Sequence, residues 1–245
     1  MREILFDTET TGIVPDHEDP RQCDRIVEIG CVEVINLERT GREFHAYVNP
    51  GRSVPQEVVR VHGLDEAFLR DKPRFADVVG GFLEFVADAP LVAHNASFDQ
   101  NFINAELRRC GLDQLAGDRF VDTLVIARKK FPGASCSLDA LARRYELDRY
   151  GFDLAARKGA GGHGALVDAR ILAEVYLQLQ GGREQRLAFD VEVAAAAGET
   201  GAVTFMRRAP RPSPLPPRIT AEEEAAHAAF IAKLGENALW KRTGS

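Results

Sequence analysis

The sequence lacks the features that would place it in a membrane, a disulfide-built scaffold or a basic nucleic-acid coat. No run approaches the roughly 18 consecutive apolar residues of a membrane span. The four cysteines, Cys23, Cys31, Cys110 and Cys136, form no C-x-x-C pair and no regular spacing. They read as reduced thiols, not as a zinc site or a disulfide frame. No basic-then-apolar leader separates Met1 from the first apolar stretch, so a cytoplasmic protein is expected. Positive charge is also scarce: the net charge is −6, and residues 191–245 carry six acids and seven bases, leaving 31 acids against 24 bases before them. A body that acidic is expected to hold nucleic acid weakly, or through a partner. No internal repeat is visible.

What is present suits one sizeable α/β domain with additional material. The 245 residues are 45% hydrophobic and 28% charged, ordinary values for a globular chain. Apolar alternation predicts strands at 2–7, 26–36 and 42–48, with Asn36 to Gly41 as a turn. Helices are expected at 55–61 and 75–87, then a buried strand Leu91–Ala93 and a helix from about Asp99 to Cys110, stopped by Gly111. A short strand near 119–122 precedes helices at 123–131, 137–146 and 165–180. Three meandering strands followed by alternating helices and strands predict a mixed sheet with helices on its faces. The stretch 191–218 is rich in Ala, Gly and Pro and reads as a semi-rigid linker unable to bury a core. Order is expected to return at Thr220, an N-cap with Glu223 in the capping-box position, ahead of Ala226, Phe230 and Leu234 at helical spacing. The segment 219–245 ends with Leu239 and the sole tryptophan, Trp240. It reads as a docking tail, against a disordered tail or a helix packed on its own domain.

The chemistry-bearing residues are acids in apolar settings. Asp7 and Glu9 share one face of the first strand, where two like charges are costly unless a cation lies between them. A divalent metal would meet that need; a strand running into a polar, Thr-rich turn is the plainer alternative. Asp99 follows the buried strand 91–93, either as a helix cap or as a group at the strand end where α/β proteins place chemistry. Asp168 is in line with Leu172, Val175 and Leu179, so it points inward and must be paired or metal-bound. His163 sits among glycines five residues earlier, with the pKa range to take a proton from an activated water.

Asp7-x-Glu9, then Asp99, then His163-x-x-x-x-Asp168, in that order, resembles the DEDDh exonucleases. Within them the chain is similar to the proofreading subunits of bacterial DNA polymerase III, over about residues 2–180 and again at Leu239-Trp240-Lys241-Arg242. The shared stretches are 6–12, 61–63, 94–99 and 168–176. The resemblance implies a ribonuclease-H-like five-stranded sheet in an exonuclease domain at 1–182. It implies that Asp7, Glu9, Asp99 and Asp168 bind two Mg²⁺ or Mn²⁺ ions and that His163 is the general base. Glu57 and His62 would contact the substrate nucleotide, and Thr10, Asn95 and Phe98 would wall the 3′ end. The DNA 3′ end is then the substrate, with release of nucleoside 5′-monophosphates by two-metal hydrolysis. The tail, through Leu239 and Trp240, would hold the polymerase alpha subunit. A small theta-like subunit is a further implied partner. Gln185, Leu187 and Phe189, within 183–190, are similar to sliding-clamp-binding peptides, departing from them at Arg186 and at Glu184. The alternative is a stand-alone relative acting on RNA 3′ ends or short oligonucleotides, for which a Pro-rich linker and tail have no evident use. A non-catalytic scaffold bridging clamp and polymerase is the other class considered.

Overall fold

The computed structural model describes residues 1–154, 162–181 and 219–234. Strand β1 (Arg2–Thr10) is the centre of the domain: a continuous apolar run, Ile4-Leu5-Phe6, buried on both faces. β2 (Ile26–Ile35) and β3 (Glu38–Tyr47) lie antiparallel on one side of it, while β4 (Leu91–Ala93) and β5 (Phe120–Asp122) lie parallel on the other. The sheet order is β3-β2-β1-β4-β5, the mixed five-stranded sheet that the pattern of elements predicts.

Alternation along β1 assigns its two faces. Ile4 and Phe6 join a core with the helices α3 (Phe75–Val86) and α4 (Ala96–Arg109), through Phe75, Phe82, Val86 and Phe102. Leu5 faces the opposite core, built by α5 (Thr123–Lys130), α6 (Leu138–Arg144) and α7 (Ala165–Leu179). Two short helices, α1 (Gln56–His62) and α2 (Glu66–Leu69), bridge β3 to α3 and cover Val27 with Val54, Leu64 and Leu69. The second of these has no signal in the apolar pattern, since one turn is too short to show a period.

Three boundaries differ from the sequence expectation. β1 runs through Thr10, three residues past the expected end at Asp7, so Glu9 also lies inside the strand. The turn between β2 and β3 is a two-residue hairpin at Asn36 and Leu37, both at positive φ, with Ile35 paired to Glu38. Thr40 to Arg42 form the irregularity in β3, where Val32 pairs with Glu43 but Val34 with Arg39. Helix α4 begins three residues before Asp99, because Asn95 takes the left-handed conformation at its N-cap.

A separate unit holds α8 (Ala221–Lys233), whose Thr220 caps Glu223 in the expected capping box. Phe230 and Leu234 are exposed on it. The linker 191–218, the peptide with Gln185, Leu187 and Phe189, and the tail residues Leu239 and Trp240 lie outside the described residues. No helix among the described residues is long and apolar enough to cross a membrane.

Candidate active site

The face rule of β1 carries three acids to one place. Asp7 and Glu9 lie on the same side of the strand as Leu5, toward α7. On α7, Asp168 is in the first turn and is 5% exposed, in line with buried Leu172, Val175 and Leu179 as the stripe predicts. Carboxylate oxygens of Asp7, Glu9 and Asp168 lie within 4.8 Å of one another. At 4.8 Å a like-charged pair repels by about 3.5 kcal/mol for an effective dielectric near 20, and by more at shorter range. All-oxygen donors held this closely match the preference of hard divalent cations such as Mg²⁺ and Mn²⁺, so the donor set fits the metal that the sequence implies.

His163 stands against this cluster, its Nδ1 3.1 Å from Asp168 Oδ2. Its backbone N–H donates to the Val61 carbonyl at 3.3 Å. The end of α1 is thereby tied to the histidine, which brings the expected substrate helix beside the expected base. Of the glycines flanking His163, Gly162 and Gly164 are described, and Gly159 and Gly161 are not.

Asp99 approaches from the other face of the sheet. It lies in the first turn of α4, 3% exposed, and accepts a hydrogen bond from Thr8 Oγ1 at 2.7 Å. Thr8 points away from Asp7 and Glu9, so Asp99 is outside the three-acid group. Burial raises the Asp99 pKa to about 7, against the opposing pull of the Thr8 hydroxyl. The cap of α4 is Asn95, so Asp99 is not the N-cap that its position suggested.

The remaining expected residues lie on β1, on α1 and at the start of α4. Thr10 is buried and donates through Oγ1 to the Gly12 carbonyl at 2.6 Å. His62 is buried at the end of α1, where its Nδ1 accepts from the Leu64 N–H at 3.0 Å. Burial lowers its pKa, while the Thr10 backbone beside it acts in the opposite direction. Glu57 is exposed on α1. Asn95 is exposed and its N–H donates to Asp122 Oδ1 at 3.0 Å, while Phe98 packs against Phe102 with ring centroids 4.9 Å apart.

Beyond the expected residues, the turn after β1 exposes Ile13. It is 80% exposed just beyond β1, in a turn fixed on both sides by Asp24. Asp24 accepts from Thr11 Oγ1 and from the Val14 N–H, each at 3.0 Å, and pairs with Arg52 at 3.1 Å.

An exonuclease family model matches residues 4–176. Two curated relatives, each named DNA polymerase III subunit epsilon, align along almost the whole chain. The protein of Rickettsia conorii is 42% identical over 96% of this chain and 96% of its own length. That of Escherichia coli K12 is 41% identical over 98% of this chain and 97% of its own.

The chain belongs to this exonuclease family, in its DNA polymerase III epsilon branch.

It is accordingly a 3′→5′ exonuclease of a family that works with divalent metal ions. Among solved structures, exonuclease X in complex with 5′ overhanging duplex DNA superposes with a TM-score of 0.52 at 27% identity, over 72% of this chain and 90% of that one. The nuclease domain of 3′hExo, a DEDDh family member bound to rAMP, superposes with a TM-score of 0.55 at 14% identity, over 73% and 91%. The fold is therefore ribonuclease-H-like, as the motif order implies.

Proposed function

We propose that the chain is the proofreading 3′→5′ exonuclease of a bacterial DNA polymerase III, removing mismatched nucleotides from the primer 3′ end. The observation that carries this reading is the convergence of Asp7, Glu9 and Asp168 within 4.8 Å, with His163 bonded to the last of them. Asp7, Glu9 and Asp168, with Asp99 behind Thr8, would hold two ions, Mg²⁺ or Mn²⁺. Such ions, when bound, neutralise phosphate charge and lower the pKa of water.

The chain's own residues supply the rest. With Nδ1–H donated to Asp168, the Nε2 of His163 carries the lone pair that accepts the proton of the attacking water. Water attacks phosphorus, the bond to the 3′ oxygen breaks, and a nucleoside 5′-monophosphate leaves. No covalent enzyme intermediate is required. Thr10, Glu57, His62, Asn95 and Phe98 position the terminal nucleotide, and Ile13 adds an apolar contact at the mouth. A mismatched end costs less to unpair, so selectivity can come from the DNA itself.

Assembly follows from the segments beyond the domain at 1–182. The tail 219–245, through Leu239 and Trp240, docks on the polymerase alpha subunit. The peptide 183–190, through Gln185, Leu187 and Phe189, contacts the sliding clamp, and a theta-like subunit is a further partner. This division supplies from outside the DNA grip that an acidic body lacks. The protein works in the cytoplasm, at the nucleoid.

The test of the chemistry is an Asp7→Ala, Glu9→Ala double variant on a mismatched DNA primer with Mg²⁺, and cleavage at the parental rate would end the proposal. Comparing single-stranded DNA with RNA separates proofreading from the RNA-trimming alternative. A pull-down of full-length chain against a version ending at Gln180 tests assembly; equal recovery of polymerase and clamp would remove the replicase assignment.

A further inference from the structure

The cluster of acids depends on how closely α7 approaches the sheet, and that approach is made at one residue. In the β1–β2 register Gly30 lies opposite Asp7, and Glu28 opposite Glu9. A Cβ placed on Gly30 would fall 2.2 Å from the Leu166 nitrogen, 2.3 Å from Leu166 Cα and 2.4 Å from the Ala165 carbonyl carbon. All three are backbone atoms of the first turn of α7, so no side-chain rotation could relieve the overlap. Gly30 has no positive φ, so the glycine is there for space and not for backbone freedom. Asp168 follows Leu166 by two residues on the same turn. Beside it, the buried Glu28 carboxylate lies within 4 Å of where a Cβ on Gly164 would be, and His45 Nε2 holds it at 2.7 Å. Gly164 is the N-cap of α7 and the neighbour of His163.

We propose that Gly30 is a positioning residue of the exonuclease centre, with Glu28 as its support. Gly30 sets the height of the first turn of α7 over β1, and so the distance from Asp168 to Asp7 and Glu9. Glu28 seats Gly164, and so His163. The inference rests on the reading that these three acids hold divalent ions. Any added side-chain atom at position 30 must lift the turn by more than about 1 Å to restore ordinary contact. A misplacement of that size in a catalytic constellation is worth about a hundredfold in rate.

The experiment compares full-length parent, Gly30→Ala, Glu28→Ala and Gly80→Ala. An added Cβ at Gly80 meets nothing within 4 Å, so that variant controls for a generic glycine effect. Mn²⁺ affinity is read by calorimetry and by the Mn²⁺-dependent rise in Tm, kcat and KM on a single-stranded DNA 3′ end, and folding by circular dichroism. The expected result for Gly30→Ala is Mn²⁺ affinity about tenfold weaker, kcat about a hundredfold lower and KM within about twofold of the parent. Gly80→Ala should match the parent throughout. A folded Gly30→Ala with parental affinity and kcat would overturn the proposal. If Gly30→Ala does not fold, Glu28→Ala decides: weaker Mn²⁺ binding and lower kcat at unchanged KM support positioning, and parental values overturn it. A parent chain with no Mn²⁺ response would overturn the metal reading itself, a failure visible before any variant is compared.

Discussion

Two sets of acids sit on this sheet, and they meet different partners. Along its flanks Glu33, Glu106 and Glu174 face arginines. Glu33 bonds Arg2 at 2.7 Å and Arg42 at 2.9 Å. Glu106 takes both arms of Arg25, at 2.6 and 2.7 Å, and Arg109 at 3.4 Å, while Glu174 pairs with Arg39 at 3.4 Å. At the end of β1 the acids face one another, an imidazole and a hydroxyl. The first set is compensated by the chain's own cations and serves the fold. The second brings carboxylates within 4.8 Å of one another, an all-oxygen arrangement that suits divalent cations. Burial of a carboxylate therefore says little by itself; the sign of what it meets separates scaffold from site.

The comparison can be broken from either side. The largest effect is expected at the site: Asp7→Ala with Glu9→Ala should lower exonuclease turnover on a mismatched primer by more than about a thousandfold. On the flank the consequences reverse. Arg25→Ala leaves Glu106 buried with a weaker partner and should cost about 3 kcal/mol, a Tm loss of roughly 9 °C for a body of this size. Turnover at 20 °C should remain within about twofold of the parent, as calorimetry and a primer assay together would show. A smaller effect is expected for Ile13→Ala, which removes an exposed contact: KM for a DNA 3′ end should rise about threefold at constant kcat and Tm.

The smallest effect is a pH dependence at Glu33. Burial pushes its pKa up, but the hydrogen bonds from Arg2 and Thr40 and the charge of Arg42 outweigh burial and leave it below the ordinary value. A lowered folded-state pKa contributes stability above the unfolded value of about 4.3 and loses it as pH falls through the folded one. The Tm gap between parent and Glu33→Gln should therefore be full at pH 6 and narrow below about pH 4. A gap constant down to pH 3 would show that the pairing contributes nothing through ionisation.

Much of this arrangement is legible in the sequence where a period carries it. The strand alternation around Ile4 to Phe6 and the helical stripe through Asp168, Leu172, Val175 and Leu179 need only 2.0 and 3.6 residues per repeat. What stays hidden is set by contacts between distant segments. Leu37 at positive φ gives no turn signal, because leucine is not a residue that favours that conformation. The start of α4 is obscured because Asn95 caps it by backbone conformation with no side-chain bond, leaving Asp99 looking like a cap. The placement of Asp99 behind Thr8 depends on which face of β1 meets which helix. Gly30 and Glu28 look like ordinary residues of an apolar strand until α7, over 130 residues away, is laid across them.

The central claim is that the three acids at the end of β1 are held for divalent cations. It is tested most directly by the Tm of parent and Asp7→Asn, Asp168→Asn chains in chelator and in millimolar Mn²⁺. The account predicts that Mn²⁺ raises the parent's Tm while leaving the variant's where it was. An equal Mn²⁺ response in both chains would contradict it.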